Sequence, residues 1–236
     1  LHVCLCLDPG FGEQYLEGES MKLINDDCLR VLPTLADNSV DLILTDPPYG
    51  TTQNKWDSVI PLDKMWVELK RISKENTATV IFSQNPFTSI LVSSNIHMFK
   101  YNWIWMKPQG TGHLNAKKYP LKNHEDICVF SLKPHKYNPQ MTEGKPYKIK
   151  SGRASSNYGS QVSVITENNG LRYPKTIIQF SSDKNRLHPT QKPVALLEYL
   201  IKTYTNESDT VLDFTMGSGS TGVAAKNLNR EFIGIE

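Results

Sequence analysis

Apolar and polar positions along the chain predict short strands separated by helices. Residues 22–25 (Lys-Leu-Ile-Asn) read as a strand, and Cys28, Leu29, Val31, Leu32 and Leu35 follow at helical spacing behind Asp26 and Asp27, either of which can cap that helix. Residues 40–44 (Val-Asp-Leu-Ile-Leu) are short, branched and bounded by Asp37, Asn38 and Ser39, the pattern of a buried strand. Two strands joined by one helix make a βαβ unit, so the sheet is expected to be largely parallel with right-handed crossovers. The alternation continues beyond a polar loop over residues 50–60. A helix from Pro61 to about Ser73 shows Met65, Trp66, Leu69 and Ile72 on one face, and a strand follows over 77–82. A helix opened by Pro86 carries Ile90, Leu91 and Ile96, and strands follow over 101–106 and 127–130.

From about 131 to 186 the pattern breaks down into Pro, Gly, Ser, Asn, Tyr and Lys with isolated apolar runs, the signature of a small irregular lobe or a partly mobile binding segment. Order returns at His188-Pro189-Thr190-Gln191-Lys192-Pro193, ahead of a helix carrying Val194, Leu196, Leu197, Leu200 and Ile201. A strand over 210–214, a glycine-rich turn, a helix through Val223 to Leu228 and a strand over 232–235 complete the chain at Glu236. The expected fold class is therefore α/β, a Rossmann-like and largely parallel sheet flanked by helices. Its domain spans 21–236, with the irregular insertion at about 131–186.

The 236 residues suffice for one sizeable domain, and 39% hydrophobic with 21% charged residues is ordinary for a globular protein. A net charge of +2 says little, but residues 133–192 hold 11 Lys and Arg against three Asp and Glu, which suits an anionic partner. Cys4, Cys6, Cys28 and Cys128 are too scattered for a metal pair or a disulfide framework, so free thiols in a reducing cytosol are expected. No apolar run approaches the length of a membrane span. Residues 1–7 are apolar without the basic flank of a signal peptide, so residues 1–20 read as a peripheral extension, a cloning remnant or translated upstream sequence.

Two stretches carry the chemistry. Thr45-Asp46-Pro47-Pro48-Tyr49-Gly50 ends the 40–44 strand with an acid, two prolines that fix the backbone and an aromatic ring, at the edge where open α/β sheets bind ligands. By itself the tetrapeptide reads equally well as a surface turn. Gly217, Gly219 and Gly222 satisfy G-x-G-x-x-G between a strand and a helix, and Glu236 follows at the end of the next strand, where an acid can accept both hydroxyls of a ribose. That arrangement suits any adenosine-containing cofactor, a nicotinamide dinucleotide or S-adenosylmethionine alike. A dinucleotide fold normally begins with its glycine unit, however, and hydride transfer has no evident use for residues 46–49.

Taken together, the two stretches resemble those of the β-class S-adenosylmethionine-dependent DNA amino-methyltransferases, in which the catalytic motif precedes the cofactor motif. The family's [D/N/S]-P-P-[Y/F/W] is matched by Asp46-Pro47-Pro48-Tyr49, its H-P-T-x-K-P by residues 188–193, and its glycine motif by 213–222. The resemblance covers 21–236. It departs at Phe214 and Thr215, which stand where Pro-Phe is usual, and at Glu236, beyond which the family pattern continues with a helix.

The resemblance implies a methyltransferase fold with circularly permuted motif order and S-adenosyl-L-methionine as cofactor. The substrate would be the exocyclic amine of adenine in double-stranded DNA, because an acid at the first motif position favours adenine; the cytosine N4 amine is the alternative. A non-catalytic DNA-binding or assembly subunit retaining the fold is an alternative of another class. Asp46 and the Pro47 carbonyl would accept the two amine hydrogens, with Pro48 stiffening the turn and Tyr49 stacking on a flipped base. Cofactor contacts are implied for Asp27, Thr190, Lys192, Asp213, Phe214, Thr215, Gly217, Gly219, Ser220, Thr221 and Glu236, with a helix cap as a second, compatible reading of Asp27. The 131–186 region would recognise the target, with Lys107, Arg153, Arg172 and Arg186 as candidate DNA contacts and Lys117, Lys118 and Lys122 extending the basic surface. A cytoplasmic, nucleoid-associated protein is expected, with no membrane and, since six His and four Cys show no ligand spacing, no metal; a homodimer and a partner restriction enzyme are left open.

Overall fold

The computed structural model describes residues 14–15, 20–51, 57–151, 164–183 and 191–236. It divides into two compact units, residues 1–138 with 176–236, and residues 139–175.

In the larger unit β1 (Gln14–Tyr15) and β2 (Met21–Ile24) precede α1 (Cys28–Val31). The expected helix through Leu35 is shorter: it gives way to a 3-10 turn over Leu32–Thr34, because Pro33 offers no backbone N–H to continue the α-helical ladder. Next come β3 (Val40–Thr45), α2 (Leu62–Ile72), β4 (Ser73–Ser83), α3 (Phe87–Ser94), β5 (Phe99–Thr111) and β6 (Lys122–Phe130). Ile96, expected inside α3, lies beyond its end and is exposed.

The smaller unit carries two antiparallel pairs. β7 (Thr142–Glu143) pairs with β10 (Leu171–Arg172), and β8 (Tyr147–Ser151) pairs with β9 (Val164–Asn168). The larger unit then resumes with β11 (Ile177–Gln179), α4 (Val194–Tyr204), β12 (Thr210–Asp213), α5 (Ser220–Asn227) and β13 (Glu231–Ile235). The expectation of an irregular 131–186 stretch therefore needs correcting. Its central part forms short strand pairs, and β11 joins the main sheet alongside β5, a placement that isolated apolar residues such as Ile177 and Ile178 do not reveal locally.

The main sheet has the order β1-β2-β13-β12-β3-β4-β6-β5-β11. Pairing is parallel from β2 through β13, β12 and β3 to β4. It becomes antiparallel on both sides of β6, and again at the β1 edge. Side chains alternate along β3, so Leu42 and Leu44 enter one core cluster with α4 and α5, and Ile43 enters the other with α1, α2 and α3. All three are fully buried, each contributing roughly 1.5–3 kcal/mol. With helices on both faces, the ends of the strands are what remains for a ligand.

Candidate active site

β3 leads through α2 to β4 on one side, whereas β12 leads through α5 to β13 on the other. The two chains leave their adjacent strands in opposite directions, which opens a crevice between the carboxyl ends of β3 and β12, the switch point at which such sheets bind ligands. Asp46 is the first residue after β3, and residues 214–219 follow β12.

The two strand ends are tied together. Thr45 donates its hydroxyl hydrogen to Asp213 Oδ1 at 2.8 Å and lies 2.7 Å from the Thr215 hydroxyl. Thr221 donates to Asp213 Oδ2 at 2.6 Å, and the Thr215 N–H donates to Oδ1 at 3.2 Å. Burial pushes the Asp213 carboxyl from 3.8 up to about 6, against the lowering effect of these hydrogen bonds. Both Asp213 and Thr221 are buried and bonded to each other, which braces the turn. Phe214 is 1% exposed and packs in the core with Ile43 and Ile235. Ser220 opens α5 and is buried.

The glycines divide into two roles. Gly217 and Gly219 take left-handed conformations, φ +51° and +74°, that make the turn, and a Cβ at Gly217 would meet no atom within 4 Å. At Gly222 a Cβ would lie 2.8 Å from the Phe232 ring and 3.2 Å from Met21, so this glycine serves helix packing. The Gly217 N–H donates to Glu236 Oε2 at 2.7 Å, and the Glu236 N–H donates to the Ile24 carbonyl at 3.1 Å. An exposed acid therefore stands beside open backbone at the ends of β2, β13 and β12. An exposed carboxylate beside open backbone is chemically suited to the hydroxyls of a ribose such as that of S-adenosylmethionine. Asp27 caps α1, accepting the Leu29 N–H at 2.8 Å.

Beyond β3, the turn is built around the Asp46 carboxylate. The Tyr49 hydroxyl donates to Oδ1, and the Lys192 ammonium donates to Oδ2. Asp57 holds the backbone in place, accepting the N–H groups of Tyr49 and Gly50 at 2.8 Å each and of Thr51 at 2.9 Å. Pro47 is buried, and the Tyr49 ring stacks on Phe87 with centroids 5.3 Å apart and planes at 27°. Burial, followed by the charges of Asp46 and Glu125, raises the Tyr49 phenol well above its ordinary value, so it stays a proton donor. Lys192 is 9% exposed and also lies 3.4 Å from Glu125 Oε2 and 5.1 Å from the Phe82 ring centroid. Burial opposes its charge, but Asp46 and Glu125 hold its ammonium above the usual lysine value.

Two candidate DNA contacts are engaged within the protein. Lys107 pairs with Glu125 and lies 5.0 Å from the Trp105 ring centroid. In the smaller unit, Arg172 donates to Asn168 and to the Lys145 and Leu171 carbonyls and stacks on Tyr147 at 4.6 Å, so it braces its own fold. Thr190, Arg153, Arg186 and His188 lie outside the described residues. Among the described residues no cluster of His, Cys, Asp and Glu could hold a metal ion, and no helix is long and apolar enough to cross a membrane. Sequence reasoning missed Thr45, Asp57 and Glu125. The signal available for Glu125 was an acid at the mouth of the apolar run 127–130.

A glycine turn beside an acid-bearing proline turn at one switch point is the arrangement of an α/β fold that binds a nucleoside cofactor. The family model described as DNA methylase matches residues 40–236. The chain belongs to this family and is an S-adenosylmethionine-dependent DNA methyltransferase. It is 32% identical over 233 residues to the Type II methyltransferase M.HpaI of Haemophilus parainfluenzae, covering 91% of this chain and 69% of that one. The crystal structure of the M1.HpyAVI–SAM complex superposes with a TM-score of 0.60 at 26% identity, covering 92% of this chain and 93% of that one. The cytosine-N4-specific PvuII DNA methyltransferase superposes with a TM-score of 0.67 at 16% identity, covering 92% and 82%, a likeness of fold alone.

Proposed function

We propose that the methyl acceptor is the exocyclic amine of adenine in duplex DNA, and that Asp46 and the Pro47 carbonyl receive its two hydrogens. The observation that carries this reading is the Asp46 carboxylate, one residue past β3 at the switch point and across from the glycine turn. An exocyclic amine is a poor nucleophile because its lone pair is delocalised into the ring. Two acceptors on its hydrogens would localise that lone pair and stabilise the positive charge growing on nitrogen. When bound, S-adenosylmethionine supplies the electrophilic methyl group. Gly217, Gly219 and Glu236 would hold its nucleoside end, in line with the amine.

The base must leave the duplex to reach this turn, and Tyr49, backed by Phe87 on one face of its ring, would stack on it. For target recognition the smaller unit is the candidate, since Lys145, Lys148, Lys150 and Lys175 give it a basic surface. The Type II name of the Haemophilus relative supports a restriction enzyme of matching specificity as a partner.

The test is to methylate duplex DNA, digest it to nucleosides and identify the product by mass. N6-methyl-2′-deoxyadenosine is expected; methylated deoxycytidine alone would refute the adenine assignment.

A further inference from the structure

Asp46 does not stand alone. Lys192 links it to Glu125, and Lys107 pairs with the other oxygen of Glu125. Glu125 is 9% exposed, and its Oε2 is held by no well-formed hydrogen bond among the described residues, only by a long 3.4 Å contact with the Lys192 ammonium. A buried carboxylate oxygen left without a well-formed hydrogen bond is unusual and calls for a reason. The Lys192 ammonium that faces this oxygen is also the one bound to the proposed catalytic acid.

We infer that Glu125 is a positioning residue for methyl transfer, holding Lys192 between two carboxylates so that Asp46 stays fixed and is only partly neutralised. This rests on the reading of Asp46 as the acceptor of the amine hydrogens. An Asp46–Lys192 pair by itself is neutral and would cancel the attraction that Asp46 offers to positive charge developing on the amine. Glu125 shares the Lys192 ammonium with Asp46, so that less of its charge is spent on the Asp46 carboxylate. Lys107 neutralises the far oxygen, but its side chain is 27% exposed and so better screened by solvent. Lys192 also keeps Oδ2 occupied, which leaves Oδ1 for the incoming amine. The donor on Oδ1 is the Tyr49 hydroxyl, which can rotate away.

The full chain, labelled S-adenosylmethionine and duplex genomic DNA free of methylation provide the test. Glu125→Gln is expected to slow single-turnover transfer by about 10–100-fold, the usual cost of losing a supporting partner, with cofactor affinity within about twofold of wild type. In a Lys192→Met background the same substitution is expected to change the rate by less than about twofold, because the charge it balances is gone. Where Glu125→Gln does not melt cooperatively, Glu125→Asp replaces it. The shorter acid draws Lys192 off Asp46 and is expected to lower kcat about tenfold with KM unchanged. A wild-type rate in the glutamine variant, an equal loss in both backgrounds, or an unaltered kcat in the aspartate variant would overturn the inference. Absence of transfer by the wild-type chain would instead remove the methyltransferase reading beneath it.

Discussion

Thr45 and Asp213, 168 residues apart in the chain, share a 2.8 Å hydrogen bond at the adjoining ends of β3 and β12. This contact makes the acid-bearing turn and the glycine turn one mechanical unit, because the same Thr45 hydroxyl also reaches Thr215. Thr45→Val keeps the shape and removes both bonds, leaving a buried carboxylate short of a donor. A loss of about 1–3 kcal/mol in stability is expected from urea unfolding, together with weaker cofactor binding by titration. Unchanged affinity would show that the two turns are independent.

The raised Asp213 carboxyl predicts a pH signature. Its folded value of about 6 exceeds the ordinary 3.8, so its contribution to stability is fully present below the lower value and is lost as pH rises through 6. Glu125 has the opposite sign: burial pushes it up, but Lys192 and Lys107 outweigh burial and hold it below its usual value, so its contribution is lost as pH falls. Asp213→Asn should therefore gain on wild type between pH 4 and 6, by up to about 3 kcal/mol over the interval. Denaturant unfolding at several pH values checks this, and parallel curves would contradict it.

The glycines separate folding from binding. Gly222→Ala forces a methyl group against Phe232 and is expected to destabilise the fold by about 1–3 kcal/mol. Gly217→Ala meets no protein atom and should cost the fold only the left-handed penalty of about 1–2 kcal/mol, while weakening cofactor binding at least tenfold. Thermal melts and cofactor titration of the two variants distinguish the effects.

Tyr49 joins a ring to a hydroxyl, and two variants separate them. Tyr49→Phe keeps the stacking surface and releases Asp46 Oδ1, so transfer is expected to fall less than about tenfold; Tyr49→Ala loses stacking worth about 1–3 kcal/mol and should fall about a hundredfold. Equal rates for both variants would remove the stacking role.

Much of this site was readable because its parts are local. A branched run ending in Asp46-Pro47-Pro48-Tyr49 and a strand ending in Gly217 and Gly219 each declare a strand, a turn and a chemistry within ten residues. The antiparallel half of the sheet was not readable, because the alternation in residues 101–106 predicts a strand but not the direction of its partner β6. The pairing of Lys192 with Asp46 crosses 146 positions and that with Glu125 crosses sheet strands, so no periodicity encodes either. Place in a motif suggests Asp213 and Phe214 for the cofactor but does not reveal that their side chains are buried in the turn and the core.

The most direct test of the account is transfer of a labelled methyl group from S-adenosylmethionine to duplex DNA by wild type and Asp46→Ala, with cofactor affinity measured on both. The account predicts transfer by wild type and a loss of at least about a hundredfold in the variant, with cofactor binding retained. Transfer by Asp46→Ala at the wild-type rate would contradict it.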